Sequence, residues 1–283
     1  SQTPEWISFA HKADELRENF MNLFGIERLK SLSGKNLLTS LFYNDEGNKT
    51  NLCYMLEMDK DIREVFGSIS GGAAYKFGLF YHKKNQSWTC GSPLKPVLLT
   101  EAEAIQKADE MRNDLIEGAE IISSFGPLDS EEDYEQLYKQ LEHIPGINMV
   151  WRMKYYQMLF PTLFAPFYGQ DIQLRVLHFL NQKPSDIPFI RMGQISLYAR
   201  KCNVPGVVFA HIYGKNVGYT NDTDDSDTNT LSDKKHKTHY WMYTVFDDKS
   251  WNECQQKGIM VLGMDKALLS AKPLPALRAY SLD

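Results

Sequence analysis

The segment that decides the fold is 100–124, which reads TEAEAIQKADEMRNDLIEGAEIISS. Thr100 followed by Glu103 is a capping box, in which the hydroxyl and the carboxylate satisfy free backbone N–H groups at the start of a helix. Apolar residues then recur at three- and four-residue spacing, at Ile105, Ala108, Met111, Leu115, Ala119 and Ile122. This spacing predicts a helix over Glu101–Ser124 with one buried face.

Upstream of this helix, the pattern predicts a helix and then two β-hairpins. Apolar residues near a 3.6-residue period predict the helix over 8–32. Two short apolar runs at 37–43 and 52–58 flank a turn-rich stretch and predict the first hairpin. Alternating aromatic residues over 75–84, with a return at 87–90, predict the second hairpin, because aromatic residues favour strands.

Downstream, the chain is predicted to be helical, then flexible, then β-rich. Predicted helices lie at 131–143, 150–160, 171–181, 193–202 and 207–213. The stretch 218–238 has too few large apolar side chains to offset its ordering entropy. The fold class is therefore α+β, with an α+β domain at 1–145, a helical segment at 146–216, a flexible acidic linker at 217–238 and a partial β unit at 239–283.

Composition excludes several classes of protein. The 283 residues are 43% hydrophobic and 24% charged, which is typical of a soluble globular chain. No apolar run is long enough to span a membrane. The four cysteines are widely spaced and form no C-x-x-C pair, which argues for a reducing compartment and against a disulfide framework. We expect a cytoplasmic protein.

The charge is unevenly distributed along the chain. Residues 101–150 carry thirteen acidic and three basic side chains, whereas the remainder carries 28 basic and 23 acidic ones. This distribution is compatible with an electropositive surface outside the acidic helices, and equally with ordinary solvated helix faces.

The known catalytic and ligand-binding motifs are incomplete in this sequence. Ser33-Gly34-Lys35-Asn36 lacks the earlier glycine and the following Ser or Thr of a phosphate loop, so we interpret it as a turn. The aspartates at 222–227 lack the glycine and glutamate of a calcium loop, and His236 and His239 have no further ligand nearby in sequence. We therefore expect no metal and no cofactor, and favour a binding module over an enzyme.

The positive signal is a strand that mixes aromatic and basic residues. On a nucleic-acid platform, lysines neutralise phosphates and aromatic rings stack on bases. The alternative is that the rings are core residues and the lysines protect a sheet edge. Strand alternation places Lys76, Phe80 and His82 on one face, and Tyr75, Phe77, Leu79, Tyr81 and Lys83 on the other. The candidate DNA-binding residues are Tyr75, Lys76, Phe80, His82, Lys83 and Lys84.

Three stretches carry a resemblance to a known family. They are SISGGAAYKFGLFYHKKNQSWTCG with EAEAIQKADEMRNDLIEGAEII within 68–122, WRMKYYQMLFPTLFAPFYGQDIQLRVLHFLN with RMGQISLYARKC within 151–202, and HYWMYTVFDDKSWNECQQKGIMVLG at 239–263. The first two resemble the region ahead of the motor in McrB-like AAA+ proteins, the nucleotide-driven subunits of modification-dependent restriction systems. The third resembles the opening of an EVE or PUA-like domain.

The resemblance implies a DNA-recognition region of a restriction or defence system. It implies DNA, including modified bases, and a nuclease subunit as partners, and a homo-oligomeric full-length protein. It also implies that Trp241 and Trp251 wall a pocket for a modified or flipped base. The chain contains no Walker motif and stops at Asp283, short of a closed barrel, so we expect an N-terminal portion of a longer protein.

Two other functions remain open at this point. One is a protein-interaction adaptor that docks a partner subunit through the helices at 101–143 and 147–216. The other is a hydrolase or nuclease of unrecognised type, which would need a cluster of carboxylates around a cleft.

Overall fold

A computed structural model of the protein describes residues 5–42, 49–69, 78–83, 85–92, 95–146 and 150–217. The β unit predicted at 239–283, and the linker predicted at 217–238 beyond its first residue, lie outside the described residues. The described part is mostly helical with a small antiparallel sheet, so the predicted mixed α+β class is confirmed for it.

The elements follow one another in a simple order along the chain. The described helices are α1 (Glu5–Phe24), α2 (Ile26–Ser31), α3 (Gly34–Leu41), α4 (Leu52–Glu57), α5 (Lys60–Phe66), α6 (Glu101–Ser124), α7 (Glu131–Leu141), α8 (Val150–Leu159), α9 (Gln170–Phe179), α10 (Pro188–Lys201) and α11 (Gly206–Val217). Between α5 and α6 lie β1 (Leu79–His82), β2 (Ser87–Ser92) and β3 (Lys95–Leu99), paired in the order β1-β2-β3.

Helix α6 is confirmed with its predicted bounds. The Thr100 backbone N–H donates to Glu103 Oε2 at 2.7 Å, and the Glu103 N–H donates to Thr100 Oγ1 at 3.3 Å. The hydrogen bonds from the Thr100 backbone and hydroxyl lower the pKa of the Glu103 carboxyl, because they favour its charged form. Helix α6 contacts α3, α8 and all three strands, so it joins the sheet to the helical core.

The first predicted hairpin is wrong, because its two apolar runs form helices α3 and α4. Within α3, the buried residues Leu37, Leu38 and Leu41 follow the spacing of one helix face. Asn51 caps α4 by accepting from the Tyr54 N–H at 2.8 Å. Short apolar runs do not distinguish a strand from a buried helix by periodicity alone, which explains the error.

Other helix boundaries also differ from the prediction. The helix predicted over 8–32 is two helices, which are separated at Gly25. The turn predicted at Ser33–Asn36 is wrong beyond Ser33, since α3 begins at Gly34. Helix α10 begins at Pro188, several residues before the prediction, because proline is well suited to the first position of a helix.

Helix α8 lies in the interior of the compact unit formed by the described residues up to Ile212. Every residue from Trp151 to Leu159 is buried, so this helix is covered on all sides. Arg17 of α1 donates to the carbonyls of Met158 and Leu159 at 3.0 Å, and the Tyr155 hydroxyl donates to the Phe24 carbonyl at 2.9 Å. The described residues up to Ile212 form one compact unit, and its core extends across the boundary predicted at residue 145.

Candidate nucleic-acid interface

One face of the small sheet packs on the core. Leu79 pairs with Cys90, and Tyr81 pairs with Trp88, which in turn pairs with Leu99. Leu79 and Trp88 are buried, and the other three residues pack against the hydrophobic core. Because paired residues project on the same side of a sheet, this register defines an inner face that rests on α6.

The opposite side of the sheet, termed here the outer face, is of mixed chemistry. One row across the three strands consists of Phe80, Thr89 and Leu98, and a second row consists of His82 and Ser87. The rings of Phe80 and His82 lie 6.5 Å apart between centroids, and both are partly exposed. The outer face therefore exposes part of an aromatic pair and the aliphatic Leu98, whereas Thr89 is 1% exposed and the Ser87 hydroxyl is inaccessible.

The structure describes only some of the residues predicted to bind DNA. Phe80 and His82 share the outer face, as strand alternation predicts, and Lys83 is exposed directly after β1. Tyr75, Lys76 and Lys84 lie outside the described residues, and so do both tryptophans of the predicted base pocket, Trp241 and Trp251.

The segment that contains the sheet carries positive charge and no negative charge. From Val65 to Thr100 the sequence contains no aspartate or glutamate, and its lysines are Lys76, Lys83, Lys84 and Lys95. The acidic residues resume with Glu101, at the first position of α6. Fixed cations without interspersed anions attract a polyanion, and salt weakens that attraction.

Strand β3 was missing from the sequence prediction. Its residues Val97 and Leu98 are 53% and 57% exposed, although they are neighbours on opposite faces. Pro96 lacks an N–H group, and proline of this kind is typical of edge strands because it limits pairing with a further strand. The signal that was available is the short apolar run at 97–99, which follows two prolines in the sequence, Pro93 and Pro96.

Two buried cations on α8 were also missed by sequence reasoning. Arg152 is 3% exposed, and its Nη2 lies 3.2 Å from Asp114 Oδ2 of α6. Its Nε and Nη1 atoms are buried and have no hydrogen-bond partner among the described residues. The guanidinium lies 5.3 Å from the ring centroid of Trp151. The apolar residues of α8, VWRMKYYQML, are spread around the whole helix, and a helix with no distinct polar face is typically buried. The sequence therefore contained a signal for the burial of this helix.

The second buried cation, Lys154, is completely inaccessible to solvent. Its Nζ donates to the Gly67 carbonyl at 2.6 Å and lies 5.8 Å from the ring centroid of Tyr168. Burial, followed by the charge of Arg63, lowers the pKa of Lys154 from 10.5 to about 7, while Asp59 acts in the opposite direction. The hydrogen bond of Lys154 connects α8 to the residue that follows α5, and the sheet is the next element along the chain.

Neither a cluster of metal ligands nor a membrane-spanning helix occurs among the described residues. Within the described ranges, no three His, Cys, Asp or Glu side chains lie together in an arrangement that holds a metal ion. None of the helices between residues 5 and 217 combines the length and apolarity needed to cross a bilayer.

Comparison with known proteins identifies no relative of this chain. No protein-family model, no curated protein and no solved structure matches the chain. The resemblance to McrB-like and EVE or PUA-like proteins therefore remains a prediction from the sequence.

Proposed function

We propose that this chain is a DNA-binding region of a cytoplasmic, modification-dependent defence protein, and that the outer face of the sheet contributes to its DNA surface. The observation that carries the proposal is the pair Phe80 and His82 on a partly exposed sheet face, within a segment that has lysines and no acidic residue. Lysines bound to phosphates supply salt-dependent affinity, and aromatic rings supply contacts to bases.

The position of Lys83 supports this assignment. It follows His82 directly, so an exposed cation lies at the end of the strand that carries the aromatic pair. Phosphate contacts orient a nucleic acid on a protein, and contacts to bases then select the sequence or the modification. The hairpin offers both kinds of group.

The finer parts of the proposal rest on the sequence resemblance alone. They are the recognition of a modified base between Trp241 and Trp251, the nuclease subunit as partner and the homo-oligomeric assembly of the full-length protein. All three concern residues or chains outside the described part of the structure.

The proposal predicts a specific change in the salt dependence of DNA binding. The Lys83→Ala variant should bind a DNA fragment more weakly than the wild type at low salt. The slope of log affinity against log salt concentration should fall by about one, because one phosphate contact is lost. Fluorescence anisotropy of labelled DNA over a salt series measures both quantities on the whole chain.

A matched control is available on the acidic helices. Lys139 is an exposed lysine in the last turn of α7, and Lys139→Ala removes the same charge at a distance in sequence from the sheet. This variant should keep the wild-type slope. An unchanged slope in Lys83→Ala would show that the phosphates contact another part of the chain.

A protein-interaction adaptor is the second candidate, and one observation favours it. Val97 and Leu98 are more than half exposed on β3, and exposed apolar side chains at a sheet edge are typical of protein-docking sites. This site differs from the helical docking surface expected from the sequence. The same titration separates the two functions, since an adaptor of this kind shows no salt-dependent binding to DNA.

A further inference from the structure

We infer that the outer face of the sheet holds an unpaired nucleobase of single-stranded DNA, stacked on the ring of Phe80. This inference rests on the proposed DNA-binding function and assigns the form of DNA that the sheet accepts. It follows from the ring geometry of Phe80, from the neighbouring His82 ring, and from the charge of the segment that contains the hairpin.

The ring geometry provides a surface for stacking. Phe80 projects from the edge strand β1, and Thr89 and Leu98 continue the same row across the sheet. The Phe80 and His82 rings are inclined by 51° to one another, so they do not stack face to face. Phe80 is only partly buried, so part of its ring remains for a planar base to stack on.

One polar group of the outer face, the partly exposed His82 ring, can contact the edge of such a base. The Asn85 N–H donates to His82 Nδ1 at 3.3 Å, which leaves Nε2 as the N–H donor of the neutral imidazole. Ser87 Oγ and Thr89 Oγ1 are inaccessible to solvent, and Thr89 as a whole is 1% exposed, so these two hydroxyls do not contact the base.

The stacking surface selects unpaired over paired bases. In a duplex, the planes of the bases are covered by their neighbours and only their edges are accessible in the grooves. An aromatic ring on a sheet stacks readily on a base that is unpaired or turned out of the helix, whereas stacking within a duplex first requires two base pairs to be separated. The lysines of the hairpin segment and its lack of acidic residues suit the phosphates of such a strand.

The test compares one short labelled single strand with the duplex of the same sequence, using the whole chain. Phe80→Leu keeps an apolar side chain but removes the ring, and it should weaken single-strand binding roughly 5- to 150-fold while leaving duplex binding nearly unchanged. Phe80→Trp should restore the affinity for the single strand. Val97→Ala alters an exposed apolar residue on the same sheet and should have no effect. Circular dichroism confirms that each variant is folded.

The outcomes separate this inference from the proposed function. Tighter binding to the single strand that depends on an aromatic residue at position 80 supports the inference. Equal binding to both forms, insensitive to Phe80→Leu, overturns the inference and leaves the DNA-binding function in place. Failure to bind either form overturns both. Competition by free thymidine monophosphate at the concentration of the oligonucleotide assigns the face to a free nucleotide and overturns the single-strand assignment.

Discussion

Replacing Gly193 by valine is expected to lower the free energy of unfolding by about 3 kcal/mol, because the new side chain overpacks a rigid contact. Gly193 lies on α10 where this helix crosses α7, and a Cβ atom there would lie 2.5 Å from Cγ of Tyr134. This distance is far shorter than a carbon–carbon contact allows. The two helices would have to separate.

The ring of Tyr134 cannot move aside to relieve this contact. It is completely buried, and its hydroxyl donates to the Leu163 carbonyl and accepts from Arg200 Nη1 at 3.2 Å. Urea denaturation measures the effect. Gly169→Ala is the control, since its Cβ would lie 3.6 Å from the nearest atom, which is an ordinary contact. A loss of stability in Gly193→Val no larger than in the control would contradict the packing described for α7 and α10.

The second large effect concerns the pH dependence of stability that Lys154 causes. Between pH 7 and 10.5 the unfolded chain keeps the proton of this lysine, whereas the native chain has lost it. Stability therefore rises with pH across this window, by up to about 1.4 kcal/mol per pH unit. Below pH 7 both states are protonated, and the native state carries the full penalty of a buried charge.

The Lys154→Met variant should remove this contribution. Below pH 7 it should be more stable than the wild type by about 2–4 kcal/mol, since replacing a buried charge by an apolar chain outweighs the loss of the hydrogen bond to the Gly67 carbonyl and of the contact with the Tyr168 ring. As the pH rises towards 10.5, the advantage should disappear. Urea denaturation over this pH range checks the change, with Lys139→Met as the control on an exposed helix. Parallel stability curves for wild type and Lys154→Met would contradict the burial of a titrating amine.

The parts of the fold that could be predicted are those that depend on local chemistry. The capping box at Thr100 and Glu103 and a long apolar stripe specify α6, because both act within a few residues of chain. Alternation along 79–82 likewise places Phe80 and His82 on one face and Leu79 and Tyr81 on the other, since successive side chains on a strand point to opposite faces.

The parts that were missed depend on contacts between distant segments. Leu37 and Leu41 lie in a helix because α3 packs on α6, and nothing within 37–43 alone excludes a strand. Burial of Arg152 and Lys154 is possible because Asp114 and the Gly67 carbonyl meet them from α6 and from the end of α5. These partners are far apart in sequence, so a pattern that spans only a few helical turns cannot predict their contacts.

The central claim is that DNA lies on the outer face of the sheet, and lysine footprinting tests it most directly. The whole chain is treated with an amine-acetylating reagent, with and without saturating DNA, and the modified lysines are read by mass spectrometry. The account predicts that DNA protects Lys83, while Lys139 on the acidic helix α7 keeps its reactivity. Equal reactivity of Lys83 in the free and DNA-saturated protein would contradict the account.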